Sequence, residues 1–516
     1  MSFSMKIERR LTESRQTRVL VPILSLLLAL ALGGVLLLLV GANPWATYIA
    51  MFSGALGGRY ALSETIVKAV PIILCALGVS IAFRMLFWNI GAEGQLAMGG
   101  FAAAGVALFL PTAYPGLPIW FVLILVFVAG ALAGALWALI PALLKAFIGV
   151  NEIITTLMLN YVAILWIEYL FYGAWKDPKG YGFPGSAQFI KGLWLGRIDQ
   201  GWTTAAIVIV ALAIVVGLGF SLLLVYRLQL RTWLSLGAGI VAMPLGWLAG
   251  PYLAQLAMAL TTALTQGWLF PDGMPQAGTV ALLWLTPVLV LLMLALSKVS
   301  RDSQTSLPGG VAAFAGALFC GGAIVGQIVI MTLLLSGTRI HSGFLVALVA
   351  AAFLWLVLGR TKWGYEIRVI GENPRAAAYA GISLARNIVM VAMLSGALAG
   401  LAGLTEVLGV SHRLQQGLTV GYGYTAILVA WLAVLNPWLI VVYGILWAAL
   451  LVGGDQIQIT MGLPAAVAPV LQGLIVFCVL GGQFFLTHRI RLVRTGTHVS
   501  NPPAVITMEK GAPSHE

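Results

Sequence analysis

The chain has 516 residues, of which 61% are apolar and only 9% charged, with a mean hydropathy of +1.01. Soluble domains carry roughly 25% charged residues, so a water-soluble enzyme is excluded and one polytopic membrane body is expected. The net charge of +12, from 28 Lys and Arg against 16 Asp and Glu, points in such a body to basic cytoplasmic loops rather than to nucleic acid.

In chain order, residues 1–18 form a basic tail carrying Lys6, Arg9, Arg10, Arg15 and Arg18. Val19 to Val40 is an uncharged run of 22 residues. That is a full span, too long for a signal-peptide core, and the tail before it is expected to stay in the cytoplasm. Further spans are predicted near 66–87, 89–110, 119–143, 152–173, 203–226, 233–252, 279–297, 311–335, 343–359, 386–410, 423–435, 437–453 and 466–486, some of them half-helices. Segment 253–270, with Gln255, Thr261, Thr262, Thr265 and Gln266, is polar enough to lie at the interface. The fold class is therefore all-α: a polytopic integral membrane helical bundle of about 10–14 spans, including broken or re-entrant helices. Threading the spans alternately from an inside N-tail puts 20 basic residues inside and eight outside, the eight including Arg59, Lys68, Arg339 and Arg413. This asymmetry predicts both termini inside, with 488–516 as the C-terminal tail.

Catalytic chemistry finds no foothold. Cys75, Cys320 and Cys478 all lie in apolar runs, which excludes a disulfide framework and matches no zinc spacing. His341 and His412 sit near outer span ends, His488 and His498 near the cytoplasmic end, and His515 in the tail. No HExxH motif and no Ser-His-Asp arrangement is suggested, so no catalytic residue, metal or cofactor is expected.

Polar residues inside spans are expensive and often functional. Asn89, Glu93 and Gln95 fall in NIGAEGQ, where Gly91 and Gly94 interrupt an apolar stretch. Broken helices of this kind place polar backbone at a cavity. Glu93 either lines a pathway and hydrogen-bonds a hydroxylated solute, or locks a re-entrant turn through backbone N–H groups. Asn151 and Asn160 are nine residues apart, two and a half turns, so they project to opposite faces. Asn160 is the deeper candidate, and Asn151 with Glu152 suits a helix cap. Asp455, Gln456 and Gln458 are read as a loop or a gate. Tyr422, Tyr424 and Trp431 offer ring faces to a base or sugar, or serve as interfacial or core aromatics.

Two hydrophilic stretches stand out. Residues 174–201, rich in Gly, Pro and aromatics, form an outside loop, either a solvated connector or a contact for an external partner. Residues 360–386 form the longest internal cytoplasmic loop. In it Asn373 is a good N-cap, Pro374 suits the first helical position and Gly381 a C-terminal stop. A helix of under two turns is marginal alone in water and persists only when packed on something. It reads as a docking knob for a soluble partner or, more plainly, as a surface turn.

Three stretches carry a resemblance: FWNIGAEGQLAMGGFAAAG (87–105), GVNEIITTLMLNYVA (149–163) with KDP at 176–178, and GYEIRVIGENPRAAAYAGI (364–382) continuing into LSGALAGLAG (394–403). GYGYTAILVAWLA (421–433) and LQGLIVFCVLGG (471–482) add to it. The chain resembles the permease subunits of ATP-binding-cassette importers for nucleosides and simple sugars, the branched-chain amino acid/ribose-type family served by basic-membrane-lipoprotein-type binding proteins. The resemblance implies that 371–382 is the coupling helix that seats on an ATPase, formed by Gly371, Glu372, Asn373, Pro374, Arg375, Ala376, Ala377, Ala378, Tyr379, Ala380 and Gly381. The chain has no G-x-x-x-x-G-K-[ST] motif to cradle ATP phosphates, so energy must come from a separate protein.

The expected function is the permease subunit of an ATP-driven importer for nucleosides. The alternatives are a simple-sugar importer and an ion-coupled secondary transporter, the latter requiring paired ionisable residues inside the membrane. Asn89, Glu93, Gln95, Asn160 and Trp431 are the candidate translocation-path residues. Expected partners are two ATPase subunits, a second permease subunit (a paralogue or a second copy), an extracytoplasmic solute-binding lipoprotein, a small-molecule solute and membrane lipids, with no nucleic acid. The expected location is the bacterial inner membrane. Residues 19–202 and 339–487 are read as the two transmembrane parts, and 203–338 as an insertion of about four spans, relative to shorter family members.

Overall fold

The computed structural model describes residues 2–9, 15–197 and 339–495. The four spans predicted within 203–338, the interfacial segment 253–270, Cys320 and the tail beyond residue 495 lie outside the described residues. The chain divides into two units, residues 1–48 with 461–516, and residues 49–460.

In the first unit, β1 (Ser2–Arg9) and β2 (His488–Thr495) pair antiparallel, from Ser2 opposite Thr495 to Arg9 opposite His488. The described residues are otherwise helical, as the fold-class expectation has it, and this short ribbon is an addition to it. The alternation of Ser2-Phe-Ser-Met-Lys-Ile-Glu, and of Arg489-Ile-Arg-Leu, has the period of two that a strand needs, and a hydropathy scan passes over it. The strands lead into α1 (Arg15–Leu39) and out of α13 (Val467–Thr487), which pack on each other. The ribbon brings Ser2 and Thr495 side by side. Helix α2 (Pro44–Leu56), unforeseen in the sequence, begins in this unit and belongs to the second from Ile49 onward; it opens where the Asn43 side chain accepts from the amides of Trp45 and Ala46 at 3.0 and 3.2 Å.

The second unit holds α3 (Arg59–Arg84), α4 (Ala92–Ala113), α5 (Ile119–Leu143), α6 (Glu152–Tyr169), α7 (Gly343–Arg360), α8 (Lys362–Glu372), α9 (Pro374–Tyr379), α10 (Leu384–Glu406), α11 (Tyr422–Leu432) and α12 (Pro437–Met461). Helix α3 is its core: 94% of its apolar window is buried, against 28% for the helices containing α5 and α6, which turn broad apolar faces outward. Seven described helices are long and apolar enough to cross a membrane, or eight if the bent pair Leu24–Leu39 and Pro44–Leu56 is one span.

Helix α10 packs against α3, α4 and α5. Lipid offers no hydrophobic drive for helices to associate, so they gain stability by close backbone approach. Here Gly396 and Gly400 of α10 face Gly130 and Gly134 of α5. A Cβ on Gly400 would lie 2.3 Å from the Gly130 carbonyl oxygen, and one on Gly134 2.2 Å from that of Gly396. Gly400→Leu is therefore expected to force the two helices apart and cost at least about 3 kcal/mol. The check is the yield of monodisperse protein in mild detergent, which should fall at least about tenfold; a yield equal to that of the unaltered chain would show that α5 and α10 are not so tightly bound.

Three predicted boundaries are corrected. Helix α3 begins seven residues before its predicted start at 66, so Lys68, counted among the outside charges, lies well inside the helix. Helix α12 runs to Met461, so Asp455, Gln456 and Gln458 are helical rather than a loop. Helix α11 has 11 residues, about 16 Å, half of a bilayer core of about 30 Å. The predicted span 423–435 is thus a half-helix.

Candidate functional site

Helix α3 stops at Arg84, whose side chain donates to the Leu435 carbonyl at 2.7 Å. The chain then runs irregularly, with Leu86 at φ 58°, until α4 begins at Ala92. A break inside a membrane bundle frees N–H and C=O groups that must find partners in protein. Side chains supply them here. Asn160, on α6, donates to the Ile90 carbonyl at 2.9 Å and accepts from the Gly94 amide at 2.8 Å. Asn89 donates to Gln95 Oε1 at 3.0 Å and to Ser395 Oγ at 2.9 Å, and Gln95 donates back to Asn89 Oδ1 at 3.0 Å. Asn151 caps α6 by accepting from Ile153, and Glu152 pairs with Lys145 at 2.7 Å.

Glu93 ties this break to a second one. Its two carboxylate oxygens accept from the amides of Gly421 at 2.8 Å and Gly423 at 2.5 Å, at the N-terminus of half-helix α11. Gly421 sits at φ +90°, a conformation that a side chain would strain. A Cβ on Gly423 would lie 2.3 Å from the Glu93 nitrogen. Glu93 also belongs to the first turn of α4. One carboxylate therefore faces the positive ends of two helix dipoles. Asn89, Glu93, Gln95 and Asn160 are all at most 2% exposed. Four of the five candidate path residues thus surround one break in three sets of hydrogen bonds, a buried polar network joined through the backbone of residues 89–95.

Trp431 stands apart from that network. It stacks on Trp88, ring centroids 5.8 Å apart and planes 19° apart, and is 40% exposed. Tyr424 lies seven residues earlier on α11, on the same face, and its hydroxyl accepts from Asn160 at 3.1 Å. The half-helix thus presents two aromatic side chains in a row beside the polar network.

At the Arg84 end of α3 lie α8 and α9. Helix α8 was not foreseen. Thr361 caps it by accepting from the Gly364 amide at 3.1 Å, and Gly364, Glu366, Ile367 and Ile370 form its buried face. Glu366 accepts from Arg386 at 3.3 Å and from Asn387 at 3.1 Å, and Trp363 donates to Asn387 at 2.8 Å. A Cβ on Gly371 would meet the Arg84 carbonyl, so α8 lies against the end of α3. Asn373 then accepts from Arg375 at 3.0 Å and Ala376 at 3.2 Å, starting α9, and Gly381 at φ +75° follows its end. Glu372, Pro374, Arg375, Ala376, Ala378 and Ala380 are exposed and Tyr379 is 97% exposed, whereas Ala377 is buried against the chain's own body. The six-residue helix has the predicted length of under two turns and occupies the middle of the 371–382 segment, and its face is not uniform.

At the opposite end, the loop from 174 is no loose connector. Ser186 donates to Leu414 at 2.7 Å, Phe189 to His412 at 3.0 Å and Leu195 to Leu408 at 3.0 Å, which docks the loop on the segment leading to α11. Trp194 stacks on His412 at 3.9 Å. Burial, and secondarily His412, pushes the neighbouring His341 imidazole down to about 4, so it is neutral at pH 7. The tip, with Tyr181 and Phe183, stays exposed.

An ion pair escaped the sequence reading. Lys68 of α3 pairs with Asp455 of α12, and Glu64 of α3 pairs with Arg339 at 3.2 Å. The Glu64 carboxylate raises the Arg339 pKa above its usual value. Lys68 and Asp455 are 387 residues apart and each borders an apolar run, so a scan for loops takes both as loop charges. Among the described residues, no group of three or more His, Cys, Asp or Glu is placed to hold a metal ion.

Comparison with known proteins assigns the chain. It matches the family described as branched-chain amino acid transport system / permease component over residues 61–218 and 210–480. It is 28% identical to the glucose ABC transporter permease protein TsgB13 of Haloferax volcanii, over 91% of this chain and 89% of the relative. It is 25% identical to the guanosine ABC transporter permease protein NupP of Bacillus subtilis, over 90% of this chain and 94% of the relative. The nucleoside ABC transporter permease protein NupB of Lactococcus lactis is 22% identical, over 90% and 91%. Near-complete coverage on both sides means that these relatives have about the length of this chain. No solved structure matches. A permease component does not itself hydrolyse ATP; the family implies an ATPase and a binding protein as partners. With its helices long and apolar enough to span a membrane, the chain belongs to the branched-chain amino acid transport system permease family and is a membrane permease of an ABC importer.

Proposed function

We propose that this permease imports nucleosides. Of the three relatives named above, two carry guanosine or nucleoside in their names and the third carries glucose, so a simple sugar is the runner-up. The observation that carries the choice is the half-helix α11, which turns Tyr424 and Trp431 outward beside the Glu93 network. Aromatic faces stack on a nucleobase and are sequence-tolerant toward any base. Glu93 already fills the anion-attracting end of α11, which favours an uncharged solute over an anionic one. In this reading Asn89, Glu93, Gln95 and Asn160 hold the broken helices in place, and Trp431 faces the path.

The remaining parts follow from that role. Residues 371–382 act as the coupling helix, through the exposed side of α9. Two ATPase subunits seat on two such helices, one from this chain and one from a second permease subunit, either a copy or a paralogue. An extracytoplasmic lipoprotein delivers the solute to the end bearing loop 174–197. The location is the cytoplasmic membrane with both termini in the cytoplasm, supported by the basic-residue count and by the β1–β2 pairing.

Lys68–Asp455 is the kind of intramembrane pair that an ion-coupled transporter would also need. Uptake of labelled guanosine in cells carrying the whole system separates the two. Uptake is expected to survive a protonophore that collapses the ion gradient, provided ATP is maintained. It should fall to background when the partner ATPase loses its P-loop lysine. Loss with the protonophore and persistence without ATP hydrolysis would reverse the assignment. D-Glucose in place of guanosine tests the runner-up.

A further inference from the structure

Between α2, α3 and α12, at the end of α3 away from α8 and α9, lies a cavity of about 520 Å³. Its size is in the range that holds small solutes. Ser53, Tyr60, Glu64, Lys68, Asp455 and Gln456 line it. The bundle here is otherwise apolar, and a polar wall of this depth is costly unless it serves a path. Lys68 lies nine residues into α3, about 13 Å along its axis, so the ion pair is below the helix ends. Its charges are not sealed off: the Lys68 side chain is 31% and the Asp455 side chain 56% exposed.

We infer that this cavity is a solute-binding station of the permease for an uncharged molecule bearing a vicinal diol, the group that the ribose of a nucleoside and a hexose share. A carboxylate accepts from both hydroxyls of a diol, an amide both donates and accepts, and an ammonium donates to a ring or hydroxyl oxygen. Asp455, Gln456 and Lys68 supply these three chemistries side by side, and Tyr60 adds an aromatic face. The inference rests on the importer reading above.

The test places a single thiol on the wall, Ser53→Cys or Gln456→Cys, in the complete transporter in intact cells. The unaltered chain, with Cys75 and Cys478 buried, is the labelling control. A membrane-impermeant positively charged methanethiosulfonate is applied from outside. Labelling is expected to cut guanosine uptake at least fivefold, with the permease still in the membrane and still bound to its ATPase. Saturating guanosine, delivered by the binding protein, should slow labelling at least threefold, and D-glucose would do so instead if a hexose is the cargo. Full uptake after complete labelling of both variants, or labelling rates that neither solute changes, would overturn the proposal. If uptake proves independent of the ATPase, the importer reading itself fails. ATP-dependent uptake that ignores the modification removes the cavity alone.

Discussion

Tyr379→Asp is expected to abolish ATP-driven uptake while leaving the permease folded in the membrane. The tyrosine is 97% exposed on a helix of six residues. So large a ring held out into water stabilises nothing in its own chain, and exposed aromatics at the centre of small rigid surfaces are the usual anchors of protein interfaces. The helix beneath is made rigid by local chemistry. Asn373 caps it, Pro374 fixes its first turn, Gly381 ends it at φ +75°, and Ala377, 1% exposed, seats it on the body. Loss of an anchor costs about 2 kcal/mol or more, at least about a thirtyfold loss of ATPase affinity, and a buried carboxylate would cost more. The measurement is co-purification of the ATPase together with uptake. Both should fall, with membrane levels of the permease unchanged. Ala377→Asp would also stop transport, but by driving a charge into the permease's own packing, and the amount of folded protein should fall with it. Normal co-purification with Tyr379→Asp would mean that the ATPase docks elsewhere.

Local signals were readable without a structure, and long-range ones were not. Asn373, Pro374 and Gly381 specify a short capped helix because capping and turn chemistry act within a few residues, and α9 forms between them. The same holds for Asn151, which caps α6, and for the opposite placement of Asn151 and Asn160. Glu93 is legible as a carboxylate that could bind backbone N–H groups at a break, but not which ones. Its partners Gly421 and Gly423 are 328 and 330 residues away, and no local pattern names them. Helix α8 was missed for another reason. Its apolar residues, Trp363, Ile367 and Ile370, recur at the spacing of one helical face, but the segment is too polar to register as a span. A scan that ends apolar runs at charges stops at Glu64 and at Asp455, and cannot recognise ion pairs inside a membrane bundle. Helix α3 therefore starts earlier and α12 ends later than hydropathy implied.

The second large effect is expected at Glu93. Glu93→Gln keeps the shape but turns one acceptor oxygen into an N–H2 donor. The amides of Gly421 and Gly423 then compete for a single neutral oxygen in a site 1% exposed. A buried amide left unpaired costs about 1–3 kcal/mol, and losing the negative charge at two helix N-termini adds about 1 kcal/mol more. Gly423→Ala attacks the same joint from the other side, since its Cβ would lie 2.3 Å from the Glu93 nitrogen. α11 would have to retreat from α4. Both variants should lower the midpoint of thermal unfolding in detergent by several degrees. Guanosine uptake should then fall in proportion to the protein that remains folded. The two substitutions have no chemistry in common except that joint. Equal ratios of uptake to folded protein in both variants and the unaltered chain would therefore make the carboxylate a fastener of α4 to α11. If Glu93→Gln leaves a full complement of stable protein and yet removes transport, while Gly423→Ala does not, the carboxylate instead meets the solute during passage, and the joint must open for it.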